Sequence, residues 1–252
     1  MERVTFNNSQ NLTLVGNLYP SVSDSIIIMC HGFLSNKYSK GRFVRLIKVF
    51  NKSGFSALAF DFRGCGESDD DSLTVDKEVD DLRSAIAFAK KKGYKKIALY
   101  GHSLGTLICL KCYTPEIITM VLSGALTDSM NYNWDEFFTK EQMQELEGKG
   151  YVTAFTPNEV REKIIIDKQI LIDFELINQK ELLKNVTCPI LIIHGNDGEE
   201  ETLLCERSKA AMTLLSTDCK LEIIDGANHS FIEHYDILIN FTNDWFIKHL
   251  CF

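Results

Sequence analysis

The sequence predicts an α/β protein with a mostly parallel central sheet and helices on both faces, interrupted by one insertion. Three observations carry that expectation. Short continuous apolar runs, Ile26–Cys30, Ala57–Phe60, Ile97–Tyr100 and Ile190–Ile193, have the length and make-up of strands buried on both faces. Helical patterns separate them, and strand alternating with helix specifies a parallel sheet. Gly101-His-Ser-Leu-Gly105 joins one such strand to one such helix by a turn too sharp for larger residues at its flanks.

Val4–Phe6 and Thr13–Tyr19, joined by a polar stretch, read as a β-hairpin. Ile26–Cys30 is the first buried strand and ends in His31-Gly32-Phe33. Phe43 to Phe50 has helical spacing, and Gly54 stops it. Ala57–Phe60 follows and runs into Asp61–Ser68. Val75, Val79, Leu82, Ile86 and Ala89 recur at steps of four and three, the stripe of an amphipathic helix. The Gly101–Gly105 turn comes next, then a strand near Met120–Ser123. From about Ala125 to Asn185 the rhythm breaks. Tyr132, Trp134, Phe137 and Phe138 crowd one segment, Phe137 to Leu146 reads as helix, and Tyr151–Phe155 and Ile164–Phe174 flank Pro157 as an irregular hairpin. Alternation then resumes with Ile190–Ile193, a helix over Leu203–Ser216, a strand at Leu221–Ile224 and a final helix carrying Phe231, Tyr235, Leu238, Phe241 and Trp245. The expected division is a core of residues 1–124 and 186–252 with an insertion at 125–185.

Composition excludes several classes. The 252 residues suffice for one large α/β domain, and the net charge of −8 argues against a nucleic-acid surface. The one basic cluster, Lys90–Lys92 with Lys95 and Lys96, suits the negative end of a helix. No run approaches membrane-spanning length, and Met1–Asn7 lacks the apolar core of a signal peptide, so a cytoplasmic location is expected. Eight scattered cysteines, including the Cys109/Cys112 pair inside a helix, read as small buried hydrophobes of a reducing compartment, and no metal or cofactor is expected.

The chemistry centres on Ser103. A serine hydroxyl is a weak nucleophile at neutral pH and needs a base, an acid to orient that base, and donors for the oxyanion. His229, in the loop after the last strand, suits the base. The backbone N–H groups of Phe33 and Leu104 suit the oxyanion hole, and Phe33, His102, Trp134 and Phe138 are the candidate substrate contacts. The loop after Ile190–Ile193 reads His194-Gly-Asn-Asp-Gly-Glu-Glu-Glu201, where four carboxylates compete for the acid's role.

His31-Gly-Phe33, Asp61-Phe-Arg-Gly-Cys-Gly-Glu-Ser68, Gly101-His-Ser-Leu-Gly105, His194-Gly195 and Gly226-Ala-Asn-His229 together resemble the α/β-hydrolase superfamily. The likeness points to the branch of bacterial feruloyl and cinnamoyl esterases, with monoacylglycerol lipases and acyl thioesterases as relatives. It implies the fold, a triad mechanism, a cap over the site, and a bracing rather than catalytic role for Asp61 and Arg63. Two positions depart from it. Thr106 stands where these esterases commonly carry a glycine, and Gly198 occupies the usual place of the acid. Asp197 is the choice for that acid: aspartate is the family's commoner acid, and Gly198 beside it permits a shifted backbone. A small insertion in the loop would favour Glu199 or Glu200 instead.

The expected activity is hydrolysis of carboxylic esters or thioesters of small to medium acyl or aryl groups through Ser103, His229 and Asp197. The partner is a small-molecule substrate, with no nucleic acid and no integral membrane segment; a homodimer is left open. A peptidase or amidase on the same scaffold, and a ligand-binding relative without turnover, are the competing readings.

Overall fold

Strand β3 (Ser25–Cys30) is buried along its whole length, as its unbroken apolar run demands, and the rest of the chain is laid out around it. A computed structural model describes residues 1–156, 160–216 and 218–251; Pro157 lies outside them. β1 (Glu2–Asn7) and β2 (Thr13–Tyr19) form the expected hairpin. After β3 come α1 (Arg42–Lys52), β4 (Ser56–Phe60), the two-residue β5 (Ser72–Leu73), α2 (Val75–Lys91), β6 (Lys96–His102), α3 (Leu104–Cys112) and β7 (Ile117–Ser123). The 125–185 segment holds α4 (Trp134–Phe137), α5 (Lys140–Lys149), β8 (Tyr151–Phe155), β9 (Lys163–Asp167), α6 (Lys168–Glu175) and α7 (Gln179–Leu183). β10 (Ile190–Gly195), α8 (Glu199–Ala211), β11 (Lys220–Ile224) and α9 (Tyr235–Leu250) complete the chain.

The main sheet has the order β1-β2-β4-β3-β6-β7-β10-β11. Every pairing from β4 to β11 is parallel, and only β2 runs against its neighbours. Alternate residues feed opposite faces, as the strand period requires. Ile27, Met29, Ala98, Tyr100, Val121 and Ile193 pack under α1 and α9. Ile26, Ile28, Leu99, Leu122 and Ile192 pack under α2, α3 and α8. Each such side chain contributes on the order of 1.5–3 kcal/mol through burial. Apolar residues of the 125–185 segment, among them Phe138, Leu146, Ile164 and Phe174, join this second core.

That segment departs from the expected pattern in two places. Phe138 and Thr139 interrupt the helix expected over Phe137–Leu146, because Thr139 caps α5 in a reciprocal pair with Gln142. Ile164–Phe174 divides likewise: β9 pairs antiparallel with β8, and then the Asp167 side chain accepts from Gln169 N and starts α6. β9 also takes β5 as a parallel neighbour, so the loop ahead of α2 enters a second, three-stranded sheet. Arg161 reinforces that junction by hydrogen bonding to Asp70 Oδ1 at 2.9 Å and to the Ser68 carbonyl.

Asp61 and Arg63 brace the loops beside β4. Asp61 accepts from Lys37 N at 2.6 Å, Lys37 Nζ at 2.5 Å and Glu67 N at 3.0 Å. Buried Arg63 donates to Asp81 and Asp80, each at 2.7 Å. One carboxyl nearby is left out of this pairing. Glu78 on α2 is buried and its Oε2 has no hydrogen-bond partner among the described residues. Burial first, then the charge of Asp81, pushes its carboxyl well above the ordinary 4.5, and Arg63 opposes only in part. Below that ordinary value both folded and unfolded chains hold the proton; above it only the folded chain does, so stability falls as pH rises. Glu78→Gln should therefore gain melting temperature over the wild type at pH 7–8 and gain little near pH 4. Parallel melting curves across that range would contradict this assignment.

Candidate active site

The geometry of the site begins with strain at Ser103, which has φ 54° and ψ −125° between β6 and α3. A Cβ on Gly101 would stand 2.8 Å from the Gly105 carbonyl oxygen and the Thr106 Cα, and one on Gly105 would stand 2.2 Å from the Cys30 carbonyl oxygen. Both contacts are with backbone, so the turn admits only glycine at these two places. Thr106 does work a glycine could not. Its hydroxyl donates to the Ser103 carbonyl at 2.6 Å and accepts from Leu126 N at 2.9 Å, tying the turn to the segment that follows β7.

His229, in the loop after β11, places Nε2 2.9 Å from Ser103 Oγ. Its Nδ1 meets Glu201 Oε2 at 2.6 Å. The structure does not bring Asp197 to the imidazole. Asp197 is exposed, and its backbone N–H donates to the Ala227 carbonyl at 3.0 Å. The reason lies in where α8 begins. Gly198, at φ +88°, turns the chain so that Glu199, Glu200 and Glu201 form the first helical turn. Glu199 and Glu200 stay exposed, and Glu200 accepts from Tyr132 Oη at 3.0 Å. Glu201 points inward, 1 % exposed, in helical phase with buried Leu204, Cys205 and Ser208. That phase is the signal a helix begun at Leu203 conceals.

Burial alone would raise the Glu201 carboxyl, but hydrogen bonds from His194 and His229 pull it down to about 2. Burial likewise opposes charge on His229, yet the hydrogen bond and charge of Glu201, with Glu200 adding, hold its imidazole above the ordinary value. Gly124, just after β7, keeps the pair unobstructed: a Cβ there would stand 2.7 Å from His229 Cε1. Nothing in the sequence around Gly124 marks that role.

Leu104 N–H is the first of α3 and has no preceding turn to bond to, so it is free to face the site. Gly32 sits so close that its Cβ would lie 3.1 Å from Ser103 Cβ, which brings the next residue, Phe33, to the nucleophile. Ser103, Leu104, His229 and Phe33 open into a cavity of about 530 Å³. Trp134, Phe137 and Phe174 supply its aromatic wall.

Two of the expected contacts lie elsewhere. Phe138 is buried behind that wall, stacked on Trp134 with centroids 5.6 Å apart, while Phe137, 56 % exposed, faces the cavity in its place. His102 is buried beneath His229 rather than in the lining. Arg42 donates to His102 Nε2 at 3.0 Å and to the Ser230 carbonyl at 3.0 Å, so His102 Nδ1 carries the proton that reaches Ser123 Oγ at 3.1 Å. Burial first, and then the charges of Arg42 and His229, keep the His102 imidazole well below its ordinary value and hence neutral. Among the described residues no three His, Cys, Asp or Glu side chains are grouped to hold a metal. No described helix is long and apolar enough to cross a membrane.

A family model described as serine aminopeptidase, S33 (Hydrolase_4) matches residues 21–170. An uncharacterized 31.7 kDa protein of the traX-finO intergenic region of Escherichia coli is 26% identical over 91% of this chain and 93% of its own. The human serine hydrolase BPHL is 29% identical over 68% of this chain and 62% of its own. Among solved structures, Est1E of Butyrivibrio proteoclasticus, with ferulic acid bound, superposes with a TM-score of 0.79. It covers 99% of this chain and 100% of that chain at 18% identity. The α/β hydrolase GrgF of Penicillium sp. sh18 gives 0.78 at 20% identity, covering 100% of this chain and 99% of that one. At such identities these two likenesses bear on the fold alone. The family match, by contrast, spans more than half of the sequence and runs through the strand, turn and helix that carry Ser103, so this chain belongs to the serine aminopeptidase S33 (Hydrolase_4) family of α/β-hydrolase serine hydrolases.

Proposed function

We propose that the protein hydrolyses carboxylic esters or thioesters of small to medium acyl or aryl groups through Ser103, His229 and Glu201, without a cofactor. The observation that carries this reading is the unbroken chain from Ser103 Oγ to His229 at 2.9 Å and on to Glu201 at 2.6 Å, opening on an aromatic cavity. His229 takes the serine proton as Oγ attacks the carbonyl carbon, and Glu201 stabilises the imidazolium that forms. The N–H groups of Phe33 and Leu104 receive the oxyanion, His229 returns the proton to the leaving oxygen or sulfur, and water releases the acyl group by the same steps. The insertion over residues 125–185 serves as the cap. The reading of a ligand-binding relative rested on the vacant acid position at Gly198, and Glu201 weighs against it.

A screen of p-nitrophenyl esters of increasing chain length, aryl esters and acyl-CoA tests the reading, with fluorophosphonate labelling of Ser103 as the substrate-free control. No turnover of any ester, with Ser103 labelled normally, would turn attention to the second reading, an aminopeptidase. That reading draws on the family description and on Glu199 and Glu200 at the cavity rim, which could receive an amino group; aminoacyl p-nitroanilides would test it. Even one methylene more or less in a hydrophobic pocket shifts discrimination by on the order of 1–3 kcal/mol. Trp134→Ala and Phe137→Ala should accordingly change the ranking of aryl against alkyl esters, whereas Phe138→Ala should lower the melting temperature and leave the ranking alone. A ranking fixed in all three variants would remove the wall from the specificity argument.

A further inference from the structure

We infer that His194 is a positioning residue for Glu201: its imidazole holds one carboxylate oxygen in place so that the other stays aimed at His229. The inference rests on the triad proposed above and concerns a residue which that reading does not use. His194 is the penultimate residue of β10, and its side chain is fully buried. Its Nδ1 lies 2.7 Å from Glu201 Oε1, and the Gly195 N–H reaches the same oxygen at 2.9 Å. His229 meets the other oxygen, Oε2, at 2.6 Å.

An ionised carboxylate only accepts hydrogen bonds, so each of these contacts is a donation to Glu201. The proton on His194 is thereby assigned to Nδ1. Nε2 then lies 2.9 Å from Ser208 Oγ, which can donate to it and accept from Thr127 Oγ1 at 3.3 Å. All of these groups are buried. A glutamate has three rotatable bonds, and one hydrogen bond from His229 would leave its carboxylate free to swing. Two donors pinning Oε1 remove that freedom, at the moment His229 becomes charged and needs a fixed partner. The position also answers a difficulty raised by the sequence. Glu201 lies six residues beyond Gly195, on a helix rather than on the short loop expected, and a longer reach needs a second hold.

A packing role would be filled by any polar side chain of similar volume, whereas a positioning role needs a donor at one atom. An asparagine amide reaches the place of imidazole Nδ1, and a glutamine amide reaches that of Nε2. His194→Asn therefore keeps the donation to Glu201 and gives up Ser208, while His194→Gln does the reverse. The readout is the second-order rate of Ser103 phosphonylation by a fluorophosphonate, beside the melting temperature of each variant. His194→Asn should react close to the wild-type rate, and His194→Gln about a hundredfold more slowly with an intact fold, the cost of a misplaced catalytic group. Equal rates in both variants, whether fast or slow, overturn the inference. If neither variant folds, histidine-¹⁵N-labelled wild type gives a second measurement. Two downfield Nδ1–H signals, both moved by Glu201→Gln, support the two-sided hold, and movement of one alone overturns it. A wild type that the fluorophosphonate fails to label would instead remove the serine-hydrolase reading, leaving the spectroscopic test intact.

Discussion

Ser103→Ala is expected to lower ester turnover about a million-fold, the loss seen when a triad serine is removed. The size follows from what remains. On the proposed mechanism the N–H groups of Phe33 and Leu104 and the cavity would still bind the ester, but no oxygen stands 2.9 Å from His229 Nε2 to be activated. The acyl-enzyme route is then closed, and water must attack without a position prepared for it. The fold should survive. Ser103 is a strained residue at φ 54°, and alanine bears the same strain with a slightly smaller side chain. Two measurements check this together: kcat on the best ester from the screen, and the melting temperature. Fluorophosphonate labelling should vanish in the same variant. Turnover near the wild-type level would remove Ser103 from the mechanism.

Much of this arrangement was legible in the sequence where local chemistry decides the structure. Ile26–Cys30 is a strand because an unbroken apolar run of that length fits a sheet covered on both faces. Gly101 and Gly105 are where they are because Cβ atoms there would strike backbone. His229 could be picked out by its loop after the last strand.

What the sequence left obscure depends on partners distant in the chain or on where a helix begins. The two-residue β5 exists only because β9, more than ninety residues later, pairs with it. Ile164–Phe174 is rich enough in β-branched residues to be read as one strand, but Asp167 caps a helix there, and Ile170, Leu171 and Phe174 form its buried face. Phe137 and Phe138 are neighbours of the same chemistry, and only the break between α4 and α5 decides which one faces the cavity. The acid proposed for the triad, Glu201, was obscured by the same kind of boundary. A helix begun at Leu203, four residues after α8 starts, leaves Asp197 as the choice with Glu199 or Glu200 as alternatives and does not single out Glu201.

Glu201→Gln should lower kcat about ten-thousand-fold, as removal of the orienting charge does in triads of this kind. Asp197→Asn, Glu199→Gln and Glu200→Gln should each stay near wild type, since those three carboxylates are exposed and none bonds to His229. Glutamine keeps the shape of the side chain but brings an amide with one donor end. If its nitrogen turns toward His229 Nδ1, the imidazole must present the wrong tautomer; if its oxygen does, the imidazolium loses its counter-charge. The pH profile adds an independent sign. His229 must be neutral to act as base, so activity falls as pH drops through its raised value, and Glu201 is the main group raising it. In Glu201→Gln the acidic limb of kcat/KM should move to lower pH, while in Glu200→Gln it should move less, because the charge of Glu200 contributes less to raising His229. A large loss in Asp197→Asn with Glu201→Gln unimpaired would return the acid to the loop. A large loss in Glu201→Gln whose acidic limb stays in place would mean that Glu201 supports the fold around His229 rather than the charge upon it.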